Sequence, residues 1–112
     1  MSKPKISSDW LAGCAGCHMS LLDIDERIIT IAELADLRST PVTDLKEPDE
    51  QGVDVGILEG GVNNTANEEV AHKFRKRCKI LVALGDCAVF GGVPAMRNMF
   101  TLEEALRRAY VE

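Results

Sequence analysis

Lys79-Ile80-Leu81-Val82-Ala83-Leu84 is the stretch that most narrows what this chain can become. An unbroken apolar run of this kind reads as a strand buried on both faces, and such strands belong to parallel sheets. It ends in Gly85-Asp86-Cys87. Val53-Asp54-Val55-Gly56-Ile57-Leu58 has the same character and ends in Glu59-Gly60-Gly61. Lys5 to Ala12, with apolar Ile6, Trp10 and Leu11, is a shorter first strand running into Gly13-Cys14-Ala15-Gly16-Cys17.

Helical patterns fill the spaces between these runs. His18 to Asp36 carries Leu21, Ile24, Ile28, Ile31, Ala32 and Ala35 at helical spacing, and Leu22, Ile29 and Leu34 widen the stripe until the helix is nearly buried. Asp23, Asp25 and Glu26 crowd its first turns, where the helix dipole favours negative charge. A capping box at Thr65-x-x-Glu68 predicts the start of a second helix, which closes on Lys73, Arg75, Lys76 and Arg77. Thr101 to Tyr110 predicts a third, with Glu103 and Glu104 early and Arg107 and Arg108 late. Thr40 to Thr43 suits a short edge strand, because proline is tolerated there, and Glu47 to Gly52 is a polar loop. Strand and helix alternate, so the expected fold is α/β with a parallel sheet, in one domain over 1–112.

Open parallel sheets bind ligands outside the carboxyl ends of their strands. Three such ends carry the unusual chemistry: Cys14 with Cys17, then Glu59 before two glycines, then Cys87 behind Gly85. Cys78 precedes its strand, lies at the opposite edge and reads as a small buried residue. Three converging thiolates without a nearby histidine favour an iron–sulfur cluster or a zinc site. Two other readings compete. Cys14-Ala15-Gly16-Cys17-His18 matches the haem attachment pattern of a c-type cytochrome, with Met96 and Met99 as distal ligands, although such proteins are mostly helical. A thioredoxin-like dithiol usually has tryptophan beside its first cysteine, and Trp10 is four positions away.

The formal net charge of −5 argues against a nucleic-acid footprint. No apolar run reaches the length of a membrane span and no signal peptide precedes the first strand, which predicts a cytoplasmic chain with reduced thiols.

Taken together, Gly13 to Asp23, Leu58-Glu59-Gly60-Gly61-Val62, Leu84-Gly85-Asp86-Cys87-Ala88 and Val93-Pro94-Ala95-Met96-Arg97-Asn98 resemble the small subunit of nickel–iron hydrogenases. Within that family, which includes the 20 kDa subunit of NADH–ubiquinone oxidoreductase, the match is to the cytoplasmic bidirectional NAD(P)-reducing group. The resemblance implies a flavodoxin-like parallel sheet with helices on both faces. It further implies a proximal 4Fe–4S cluster with Cys14, Cys17 and Cys87 as ligands, in a site lined by Gly13, Gly16, Glu59, Gly60 and Gly85. The family's fourth ligand lies in a downstream Gly-Cys-Pro-Pro turn, so the domain is expected to be truncated at its C-terminus. Some relatives also hold FMN near this cluster. The implied partners are a large subunit with the nickel–iron centre and a flavin and iron–sulfur diaphorase that reduces NAD, with His18, Met19 and Glu59 at or near the docking edge. The runner-up is the cluster-bearing subunit of a respiratory NADH–quinone oxidoreductase, whose relatives place two adjacent cysteines where this chain has Cys14-Ala15-Gly16-Cys17. A scaffold that has lost its cluster is the non-catalytic alternative.

Overall fold

The computed structural model describes residues 3–42 and 52–111. In chain order the elements are β1 (Lys5–Trp10), α1 (Gly16–Leu22), α2 (Arg27–Leu34), β2 (Asp36–Ser39), β3 (Val53–Glu59), α3 (Thr65–Arg77), β4 (Cys78–Leu84), α4 (Asp86–Phe90), a 3-10 segment (Val93–Met99) and α5 (Leu102–Tyr110). The strands form one sheet in the order β2-β1-β3-β4, and every neighbouring pair is parallel. This is the expected α/β fold. Among the described residues, no helix is long and apolar enough to cross a membrane.

Strand alternation decides which helix covers which face. Ser8 pairs with Ile57 and Trp10 with Glu59, so these residues share one face; Ser7 pairs with Gly56 and Asp9 with Leu58 on the other. His18 of α1 bonds to Ser8 and Glu59 on the first face. Phe74 of α3 lies against Gly56 on the second. The small core sits there: Val53, Leu58, Phe74 and Cys78 are buried, with Leu11, Val70, Ala71 and Leu81 packed around them. A methyl group at Gly56 would fall 2.2 Å from Cys78 Sγ, so the glycine leaves the space that the cysteine fills.

Several sequence expectations are corrected. The single helix over 18–36 is two helices: Asp25 adopts φ 60°, and backbone bonds Asp25 N to Leu22 O (3.2 Å) and Ile28 N to Asp25 O (3.1 Å) close tight turns there. Aspartate tolerates the left-handed region, so the acids that look like a helix start form a break. The break also turns the apolar stripe, leaving Leu22, Ile29 and Leu34 exposed. The edge strand begins earlier, at Asp36, and ends before Thr40. Asn64, not Thr65, caps α3 by accepting from Asn67 N at 2.8 Å. A complete capping box forms instead between Thr101 and Glu104 at the start of α5. Finally, β4 is not covered on both faces: among the described residues it pairs only with β3, and Ile80 is 60% exposed. Residues 43 and 47–51, read above as strand end and polar loop, lie outside the described residues.

Candidate functional site

The carboxyl ends of β1 and β3 are stitched together just beyond the strands. Leu11 N donates to Glu59 O (2.7 Å), Ala12 N to Gly61 O (3.0 Å) and Gly61 N to Ala12 O (2.8 Å). A methyl at Gly13 would stand 3.5 Å from the Gly60 Cα, so the two turns are in contact. Beyond that stitch the chain enters the cysteine turn. Ala15 adopts φ 64° and carries no side-chain cap, and α1 starts at Gly16. The left-handed residue folds the turn back, so that Gly16 N donates to Cys14 Sγ at 3.4 Å. Cys14 is exposed and Cys17 half-buried.

The third turn closes on the same edge. Gly85 adopts φ +89°, and a methyl there would lie 2.3 Å from Cys17 Sγ. Only glycine supplies both the backbone angle and the gap. Cys87 follows in the first turn of α4, beside Gly61 of the β3 turn, and a methyl at Gly92 would stand 3.4 Å from its sulfur. The structure therefore brings Cys14, Cys17, Cys87, Gly13, Gly16, Glu59, Gly60 and Gly85 to one edge of the sheet. Cys78 opens β4 and is 4% exposed in the core. The seven residues of β4 span roughly 20 Å at about 3.3 Å each, so Cys78 and Cys87 belong to opposite edges.

Electrostatics link the three thiols. The Cys17 thiol is pushed up from its ordinary value, first by desolvation and then by the charges of Glu59, Cys14, Cys87 and Asp86. Negative charge at Cys17 is thus opposed by its neighbours, and a cation beside it would relieve that opposition. The donor set suits a soft metal or an iron–sulfur cluster. Among the described residues, no group of three His, Cys, Asp or Glu side chains is gathered closely enough to enclose one metal ion.

Glu59 is 3% exposed and His18 1%, so the two lie near the cysteine edge but are buried, while Met19 is exposed. His18 Nδ1 bonds Glu59 Oε2 and its Nε2 lies 3.0 Å from Ser8 Oγ. Both ring nitrogens are engaged, which leaves none for a haem iron. Glu59 Oε1 accepts the Cys17 backbone N–H at 3.0 Å, and the Trp10 ring meets the imidazole edge-on, centroids 5.6 Å apart. Ser8 carries no sequence signal at all. Its role follows from facing the same side of the sheet as Glu59, two pairing positions back along β1.

The model of the family described as NADH ubiquinone oxidoreductase, 20 Kd subunit, matches residues 14–111. The chain belongs to that family. As a member of the 20 Kd subunit family, it is 45% identical over 109 residues to the NAD-reducing hydrogenase HoxS subunit delta of Cupriavidus necator, covering 97% of this chain and 52% of the relative. It is 42% identical over 110 residues to a subunit of the F420-non-reducing hydrogenase of Methanothermobacter thermautotrophicus, covering 97% of this chain and 36% of the relative. A crystal structure of an NAD+-reducing [NiFe]-hydrogenase in the H2-reduced state superposes with a TM-score of 0.87 at 42% identity, covering 96% of this chain and 60% of the solved one. The chain thus spans about a third to a half of the length of these two curated relatives.

Proposed function

We propose that this chain is the cluster-bearing part of the small subunit of an NAD(P)-reducing nickel–iron hydrogenase, with Cys14, Cys17 and Cys87 as ligands of a 4Fe–4S cluster. The observation that carries the reading is the convergence of three thiols, from two separate strand ends, on one edge of a parallel sheet. Similarity to the delta subunit of an NAD-reducing hydrogenase supports it. When bound, such a cluster passes electrons one at a time, here between a large subunit with the nickel–iron centre and an NAD-reducing diaphorase.

The residues of the chain hold and tune that position. Cys14 and Cys17 come from one tight turn, whose Gly16 N–H stabilises negative charge on the Cys14 sulfur. Gly85 admits the Cys17 sulfur beside the turn that carries Cys87. Glu59 and Asp86 place negative charge near Cys17, which disfavours adding an electron there and lowers the reduction potential. Cys14 is exposed, and a partner subunit docked on this edge would keep water from it.

Substitution separates the two kinds of cysteine. In the assembled complex, Cys87→Ala should abolish hydrogen-dependent NAD reduction and remove or convert the cluster signal in electron paramagnetic resonance. Cys78→Ala should keep both, at a stability cost of at most a few kcal/mol. Loss of the cluster on Cys78→Ala with its retention on Cys87→Ala would refute the site.

A further inference from the structure

We infer that Glu59 is a positioning residue for Cys17, fixing the backbone of that ligand through a buried line of hydrogen bonds, Ser8–His18–Glu59–Cys17. The inference rests on the cluster reading above and assigns a role to residues that do not themselves ligate.

The capping position of α1, Ala15, has no side-chain hydrogen bond, and Cys14 Sγ takes the Gly16 N–H at 3.4 Å. A helix start leaves its first N–H groups unsatisfied unless something outside the helix accepts them. Here the acceptor comes from the end of β3, 42 residues away along the chain, as Glu59 Oε1 takes the Cys17 N–H at 3.0 Å. The carboxylate is held in turn. Carboxylate oxygens accept, so the Nδ1–H of His18 donates to Glu59 Oε2, and Ser8 Oγ engages Nε2 at 3.0 Å. His18 is the residue after Cys17, so Glu59 grips two consecutive residues of α1, one by its backbone and one by its side chain. Ser8, His18 and Glu59 are 6%, 1% and 3% exposed. The line is complete, every member bonded, as a buried polar network must be if it is to specify geometry.

The far side of Cys17 is equally constrained. Its sulfur lies where a methyl on Gly85 would stand 2.3 Å away. Glu59 fixes the Cys17 backbone and Gly85 leaves the sulfur one gap, so the ligand is held from both ends. Thermodynamic stability alone does not account for such a device. Replacing a buried polar or ionic pair by apolar groups of similar volume is commonly neutral or stabilising. The distinctive yield of this line is the placement of Cys17.

The test uses the assembled complex and compares Glu59→Gln with Glu59→Met. Glutamine keeps an oxygen for the Cys17 N–H and an amide for His18, once the imidazole tautomer and the Ser8 hydroxyl turn to match. Methionine keeps the length and removes the grip. Because Glu59→Met strands a buried His18, the double variant Glu59→Met/His18→Leu accompanies it as a fully apolar replacement that preserves packing. Iron and acid-labile sulfide content, the electron paramagnetic resonance spectrum and the reduction potential are read for each. The wild type and Glu59→Gln should share one spectrum and full iron content. The double variant should assemble, as judged by size exclusion, yet show an altered spectrum, with at least a several-fold faster loss of iron to a chelator. A wild-type spectrum and iron retention in the double variant would overturn the inference, as would a Glu59→Gln complex indistinguishable from it. A wild-type complex whose iron and labile sulfide are fully accounted for by the partner subunits would overturn the cluster reading itself.

Discussion

The sheet edge at Cys14 and Cys17 and the segment from Val93 to Val111 are held together in opposite ways. At the sheet edge, polar groups from three distant stretches close on one another: Ser8, His18 and Glu59 are buried and bonded, and the ends of β1 and β3 share backbone bonds. In the later segment the helix start is closed locally. Thr101 and Glu104 cap α5 reciprocally, and its backbone bonds run within the helix or to Thr101. Asn63 Nδ2 donating to Pro94 O at 3.1 Å ties the 3-10 segment back to the β3 turn. Its apolar side chains are left out: Val93 is 77% exposed, Met99 74% and Tyr110 83%. One region uses its polar groups to fix positions within the chain. The other is shaped by its own sequence and carries little of the chain's packing.

Substitution tests that contrast. The largest effect falls on the core beneath the anchored region. Phe74→Ala removes a ring that is 1% exposed, and should cost about 3–5 kcal/mol in equilibrium urea denaturation; a cost below about 1 kcal/mol would show that the sheet is not anchored there. A smaller effect should appear at Asp54, which accepts from Lys5 N at 2.8 Å and Lys79 Nζ at 3.1 Å. The Lys5 N–H, with Lys79, holds its carboxyl below the usual range. A lowered folded value means that the ionised form stabilises the fold above the ordinary carboxylate value of about 3.9, and that this contribution is lost as pH falls through the lower folded value. Asp54→Asn should therefore be less stable than wild type near neutrality and converge with it in acid. An unchanged gap at low pH would remove the assignment. The smallest effect belongs to the later segment: Tyr110→Ser should change stability by no more than about 0.5 kcal/mol, and a larger loss would mean that α5 packs on the sheet.

The same contrast explains what the sequence discloses. The helix read over 101–110 is observed as α5, because its charge order and ends are encoded within ten residues. The strand ends bearing Cys14, Cys17, Glu59 and Cys87 are legible for a related reason, since each apolar run is followed directly by its turn. The roles of Glu59 and His18 are not. A carboxylate before two glycines resembles a solvated loop residue, and a histidine after a cysteine turn resembles a surface one. Their burial depends on pairing Trp10 with Glu59, a contact across 49 positions that no local pattern announces. The broken helix at Asp25 escapes notice because acids at a helix start and acids in a turn look alike in sequence. The exposure of Ile80 escapes it because an apolar run states what a strand would bury, not which neighbours are there to bury it.

The fit of Cys78 into the space left by Gly56 bears on measurement along the sheet. Gly56 is two positions beyond Asp54 and three before Glu59, and Cys78 stands at the head of the strand that ends at Leu84 and leads through Gly85 to Cys87. Sliding β3 by two residues against β4 would keep every side chain on its proper face. It would also bring Asp54 or Leu58 to the slot that only a glycine fits. The joint works as a vernier at the far end of the molecule. It rejects a slip of about 6.6 Å, two residues at about 3.3 Å each, that would carry the Cys87 turn away from Cys17 while leaving the sheet otherwise plausible. The spacing of the cysteine edge is thus gauged from the opposite edge, by a thiol buried in the core.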